Sequence, residues 1–249
     1  LIGILEDLAA VRDAAAGVAA LRRGHLRLAL PQILGAAWLP DVLSRFRAAH
    51  PGVRIGVVDT IGDRVLEAVA ANEAEIGIGP ERTLPAGVAA EEVWQVPMSV
   101  IFARSSPLAA RDEPLTIDEL GRMGWIHYSD EFSLLLEKTL LRGDARQWHE
   151  ALRVRGLITA LSLVGQSRFV TAAPAYASIL ADVFALEFCE LPGAPYLRRF
   201  MLYSREGHGL SPAASAFAAM ARAVPPPMGV RPCQSVTQPA EGPTASGQA

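Results

Sequence analysis

The side chains of this chain that could hold a metal, a cofactor or a substrate are few, and their spacing narrows what they can do. Its five histidines stand at 25, 50, 127, 149 and 208, and no two share the i, i+4 spacing that places a pair of imidazoles on one helical face. A metal site is therefore not expected, and His127, next to Tyr128, reads as a hydrogen-bonded structural histidine. Gly77 and Gly79 flank Ile78 without the third glycine of a dinucleotide fingerprint, and the chain has neither a P-loop nor a Gly-x-Ser-x-Gly nucleophile elbow. Cys189 lies among Leu186, Phe188 and Leu191 and suits a small core residue, whereas Cys233 lies in a polar tail. Neither a disulfide framework nor a cysteine metal site is expected from that pair. No catalytic machinery is visible, and no cofactor is expected. What remains is a set of groups where alternating strands end, Gln32 after Pro31 and Thr60 after Asp59. An amide and a hydroxyl beside helix N-termini suit a small anion, because free N–H groups and the helix dipole both favour negative charge.

The elements that must position these groups are readable around them. Residues 24–30 alternate Leu26, Leu28 and Leu30 with His25, Arg27 and Ala29, which predicts a strand. Residues 38–50 place Leu39, Val42, Leu43 and Phe46 on one helical face, and residues 51–59 are β-rich after a Pro-Gly turn. A connection of that length predicts two adjacent parallel strands with the helix packed on one sheet face, and ligands of such sheets collect at the carboxyl ends of the strands. Further helices are expected over 60–72, with Thr60 as a cap, and over 116–120, 132–141, 159–166, 175–183 and 212–223; further strands over 75–79, 88–96, 97–103, 125–128, 152–156, 169–173, 186–191 and 200–203. Strands alternating with helices predict α/β architecture.

The chain has 249 residues, 51% of them hydrophobic, with a net charge of -3, enough for one large or two smaller domains. A mildly acidic balance gives no general affinity for phosphate backbones. No apolar run is long enough for a membrane span and no signal peptide is visible, so a reducing cytoplasm is expected. The chain starts at Leu1 rather than Met, and further residues are expected upstream. Over residues 1–22, Leu1, Ile4, Leu8, Val11, Ala15 and Val18 form a heptad seam; the helix it predicts either packs on its own domain or pairs with another chain. From 225 to 249 the composition turns to Pro, Gly, Ser, Thr and Gln, which predicts a disordered tail.

The order of these elements resembles the effector-binding domain of LysR-type transcriptional regulators, preceded by that family's linker helix. The stretches that carry the resemblance are residues 24–30 with Leu39-Pro40, Phe46-Arg-Ala-Ala-His-Pro-Gly-Val53, Glu75-Ile-Gly-Ile-Gly79, residues 103–108, Leu115-Thr-Ile-Asp-Glu-Leu120, residues 160–174, and Tyr203-Ser-Arg-Glu-Gly207 before Leu210-Ser-Pro-Ala213. The resemblance covers residues 1–224. It implies two Rossmann-like subdomains joined by two crossing strands, as in periplasmic binding proteins. One would hold residues 24–99 plus 204–224, the other 100–203, with 1–22 as the linker and dimerisation helix. It implies a small-molecule effector, a polar organic acid or amino acid, bound between the lobes, assembly as a homodimer or homotetramer, and contact with DNA only through a winged helix-turn-helix upstream of Leu1.

Cleft positions implied by the resemblance are Pro31, Gln32, Asp59, Thr60, Gly79, Pro80, Tyr128, Ser129 and Thr171. Thr60 has helix capping as an equal alternative, and Thr171 a backbone hydrogen bond within a buried strand. Much of the family has Ser or Thr after the first strand, where this chain has Pro31 and Gln32, and that departure speaks against the usual carboxylate clamp. Asp59, Glu81, Asp130 and Glu131 disfavour a multiply charged anion unless Arg82 or Arg168 offsets them. A solute-binding receptor of the periplasmic type shares the expected architecture and is the alternative function.

Overall fold

The computed structural model describes residues 24–111, 113, 115–128, 149–191 and 196–229. The expected helices over 1–22 and 132–141, Ser129, and the tail beyond 229 lie outside these residues. Strand β1 (His25–Pro31) passes directly into helix α1 (Gln32–Ala49), which returns to β2 (Arg54–Thr60). The two strands are parallel and in register from His25 with Arg54 to Pro31 with Thr60, the crossover unit the sequence predicts. Leu26, Leu28, Ala29 and Leu30 are all fully buried, as expected for an inner strand covered on both faces. Helix α1 starts six residues earlier than its periodicity suggests. Ile33 and Leu34 extend the buried face through Trp38, Leu39, Val42 and Phe46, and Pro40 is accommodated on the exposed side of the helix.

A 3-10 turn (Gly62–Arg64) and helix α2 (Val65–Ala70) lead to β3 (Ile76–Pro80), all five residues of which are buried. Strand β4 (Val88–Ala103) is one continuous 16-residue strand where two consecutive strands were expected. It pairs antiparallel with β9 (Leu197–Arg205) as far as Pro97, then with β7 (Thr171–Pro174) and β8 (Leu186–Glu190). Proline, which has no N–H to donate, falls where the partner changes. The described strands thus form a seven-stranded mixed sheet in the order β2-β1-β3-β9-β4-β7 with β8 also on β4, plus a parallel pair, β5 (Gly124–His127) with β6 (His149–Arg153). Helix α3 (Ile117–Gly121) opens on the expected capping box of Thr116 and Glu119, helix α4 (Leu157–Gly165) covers the second group of strands, and helix α5 (Pro212–Ala223) is capped by Ser211. Residues 175–180 are a 3-10 helix instead of an α-helix. Trp38 stands edge-on to Trp94 and Phe217, and Trp94 Nε1 donates to the Ala221 carbonyl, which fixes α5 over the sheet.

The glycine pair in β3 serves packing. A Cβ at Gly77 would lie 2.8 Å from a Val69 methyl and 2.9 Å from a Val65 methyl on α2, whereas one at Gly79 would meet Val65 at 3.4 Å. Gly77→Ala should therefore cost about 1–3 kcal/mol through overpacking and Gly79→Ala less, an order that urea denaturation midpoints will check.

Candidate functional site

The carboxyl ends of the first group of strands meet the second group across a cleft that opens to solvent. Pro31 and Gln32 reach it from the β1–α1 junction, Thr60, Ile61 and Asp63 from the end of β2, and Pro80 and Arg82 from the end of β3. Facing them are Tyr128 after β5, Arg155, Leu157 and Ile158 at the start of α4, and Pro174 and Tyr176 after β7. Strand β9 forms the back wall. Its alternation turns Arg198 and Phe200 inward and Leu197 and Arg199 outward; Arg199 is engaged outside by Glu81 at 2.7 Å and Glu92 at 2.5 Å.

Helix α1 presents its amino end to this cavity. Its N-cap is Pro31, no side chain caps it, and no acidic residue occupies its first turn, so its leading N–H groups and dipole project positive potential there. Arg82 pairs with Asp63 and is nearly buried, its side chain 8% exposed. Arg198 is 7% exposed. Burial lowers its pKa from the ordinary guanidinium value and the nearby Arg82 charge adds to the effect, yet an arginine stays protonated. Burial also raises the pKa of Tyr128 and of Tyr176, with the Arg198 charge pulling the other way in both. Behind the wall, Tyr203 donates to the Pro80 carbonyl at 2.6 Å, and burial pushes its phenol up to about 12.

Of the cleft positions expected from sequence, the cavity brings together Pro31, Gln32, Thr60, Pro80 and Tyr128. It does not bring in three others. Asp59 is exposed on β2, Gly79 is buried under Val65, and the Thr171 hydroxyl donates to the Ile126 carbonyl at 2.7 Å. Thr60 is the last residue of β2, paired with Pro31; the turn that follows has Ile61 at its N-cap with no side-chain bond, so the capping role expected for Thr60 is not taken up. Arg82 lines the cavity while Arg168 is exposed elsewhere. His127 is buried on β5, its ring centroid 6.5 Å from that of Trp125. Cys189 is buried in the core, as expected, but it is disulfide-bonded, against the expectation that no disulfide forms. Sequence reasoning missed Arg155, Tyr176, Arg198 and Phe200. The signal for the last two was present: read from 197, β9 alternates Arg198 and Phe200 on one face, a charge at a core position of a strand.

The profile of the LysR substrate binding domain matches residues 19–225. The chain belongs to the LysR substrate-binding domain family. This LysR domain is 28% identical over 217 residues to the HTH-type transcriptional regulator IlvR of Caulobacter vibrioides, an alignment covering 82% of this chain and 70% of that protein. Among solved structures, the effector-binding domain of QuiR in complex with shikimate superposes with a TM-score of 0.71 at 17% identity, over 81% of this chain and 96% of that one. The regulatory domain of MexT, a transcriptional activator in Pseudomonas aeruginosa, superposes with a TM-score of 0.67 at 20% identity, over 81% and 100%. At such identities the superpositions establish the periplasmic-binding-protein-like fold of the LysR domain. Among the described residues no helix is long and apolar enough to cross a membrane.

Tyr203→Phe removes the buried donor that holds the Pro80 carbonyl at the cleft. It should destabilise the domain by about 1–3 kcal/mol, the cost of stranding a buried acceptor. Because burial pushes the phenol up to about 12 in the fold from near 10 when unfolded, the contribution is complete below the unfolded value and lost as pH rises through the folded one. Tyrosinate absorbance should lose a step near 12 in the variant; a titration unchanged by the substitution would contradict the burial.

Proposed function

We propose that this domain senses a small organic molecule, an organic acid or amino acid, in the cleft between its two groups of strands. It passes the bound state to DNA through a winged helix-turn-helix upstream of Leu1. The protein works in the cytoplasm as a homodimer or homotetramer, and its role is recognition rather than catalysis. The observation that carries this is a cavity lined from both sides, with polar groups of Gln32, Thr60, Tyr128, Arg82 and Arg198 converging on largely apolar walls. A shikimate-bound relative of the same fold and family membership support a regulator over a solute receptor. A ligand touching both sides favours one arrangement of the lobes, and that differential affinity is what a DNA-binding module can read.

Binding should stabilise the domain by mass action, roughly 2.7 kcal/mol at ~100-fold excess over Kd. Thermal-shift screening of organic acids and amino acids should thus find a stabilising class. Ile158→Trp, at a position 42% exposed on the cavity rim, should abolish the shift without lowering the ligand-free melting temperature. Thr60→Val should weaken binding by ~0.5–1.5 kcal/mol through loss of one hydroxyl at nearly constant shape. A stabilising compound indifferent to both changes would place the pocket elsewhere.

A further inference from the structure

A second polar recess lies at the end of the sheet away from the cleft, where β1 and β3 begin and β9 ends. Ala29, Gly77 and Tyr203 form one row across these three strands, packed under Val65 and Val69 of α2. Two residues before Ala29 and Gly77, and two after Tyr203, come Arg27, Glu75 and Arg205, the next row of the same face. The Glu75 N–H donates to the Arg27 carbonyl at 2.9 Å, which continues the strand pairing into this row. Helix α2 stops at Ala70 and leaves the row half-buried, with His25, Asn72 and His208 around it. Glu75 stands between the two arginines in the row, yet its carboxylate is turned to the N-cap of α5, where it accepts from the Ser211 N–H at 2.7 Å and the Ser211 hydroxyl at 3.0 Å. Among the described residues Arg27 is bonded to the neutral amide oxygen of Asn72 at 3.2 Å and ion-paired with none, and Arg205 has no side-chain partner.

We propose that this recess is a second ligand site, for inorganic phosphate or the phosphate monoester of a small molecule, held between Arg27 and Arg205. Two strand spacings of ~4.8 Å set the Cα atoms of the two arginines about 10 Å apart, so both side chains reach one group placed between them. A phosphate monoester offers three terminal oxygens, enough for a fork from each guanidinium, whereas a planar carboxylate fills a single fork. A phosphodiester has only two such oxygens and one charge. The Glu75 charge lies in the same recess and opposes any anion, so one guanidinium alone does not suffice. The site stands independently of what the cleft binds.

Calorimetry at pH 8, where phosphate monoesters are dianions, and at constant ionic strength tests this with four probes. Inorganic phosphate and glycerol 3-phosphate should bind, with dimethyl phosphate and acetate about tenfold weaker or worse, the factor for losing a charge-assisted hydrogen bond. Arg27→Gln and Arg205→Gln should each weaken inorganic phosphate by a similar factor, and Arg168→Gln, exposed elsewhere on the surface, should not. Circular dichroism reports whether each variant is folded. Inorganic phosphate should also slow amide exchange at residues 25–27 and 205–210 of the unaltered chain. If a variant fails to fold, the ranking of the probes and the place of protection decide. No response to millimolar phosphate, equal binding of dimethyl phosphate or acetate, an equal loss in Arg168→Gln, or protection at the cleft instead of the recess would each overturn the proposal. So would a duplex oligonucleotide that binds more tightly than phosphate and is lost in the same two variants, which would assign the arginines to a nucleic-acid backbone.

Discussion

Strand β4 is hydrogen-bonded to β9 up to Pro97 and to β7 and β8 beyond it, and this change of partner within one strand sets the position of every other part of the molecule. A strand that serves two groups of neighbours must leave one before joining the other, and the strands that end at the changeover leave a gap flanked by their carboxyl ends. The ends of β1, β2 and β3 bound the gap on one side, the residues after β5 and β7 on the other, and β9 closes its back. Pro97 suits the changeover because it has no N–H for either set of partners. The cleft is thus a consequence of strand pairing, and side chains on otherwise rigid elements decide what it holds.

Burial and charge oppose one another inside that gap. Removing a guanidinium from water costs free energy that only an anion or a network of acceptors returns, and the wall places Arg82 and Arg198 close enough for the first to lower the pKa of the second. Asp63 compensates Arg82 from a more exposed position, its side chain 42% accessible, so this pair is partly screened by solvent. The alternation of β9 sorts adjacent arginines into different roles. Arg199 faces outward into a carboxylate pair on the surface, where such contacts contribute little, and Arg198 faces inward, where the dielectric is low and its charge reaches furthest.

The crossover unit was legible because strand and helix periodicities differ and both are clean over residues 24–59. Parallel pairing, the placement of Gln32 and Thr60 at adjacent strand ends, the capping box at Thr116 and the cap at Ser211 all followed from local chemistry. Where tertiary pairing overrode local signals, the sequence said less. The first turn of α1 was hidden by Pro31 and by Gly35 and Pro40, weak helix formers that a buried face through Ile33 and Leu34 overrides. Thr171 was expected at the cleft because its strand ends there, but a side chain on a strand points to one face only, and its hydroxyl goes to Ile126. Arg198 went unread because β9 was begun at Phe200, which cut off the alternation that would have placed an arginine in the core. A strand start set three residues late, at Phe200 instead of Leu197, removes the evidence for which face the missing residues take.

Amide hydrogen exchange with and without an organic acid or amino acid that stabilises the domain tests the central claim most directly, because backbone protection reports position without altering a residue. A molecule held between the two groups of strands should slow exchange together at the start of α1, in the turn after Thr60, around Arg82, at the start of α4 and at residues 197–200. Protection confined to one side of the cleft, or appearing at the opposite end of the first sheet around His25, Arg205 and His208, would contradict it.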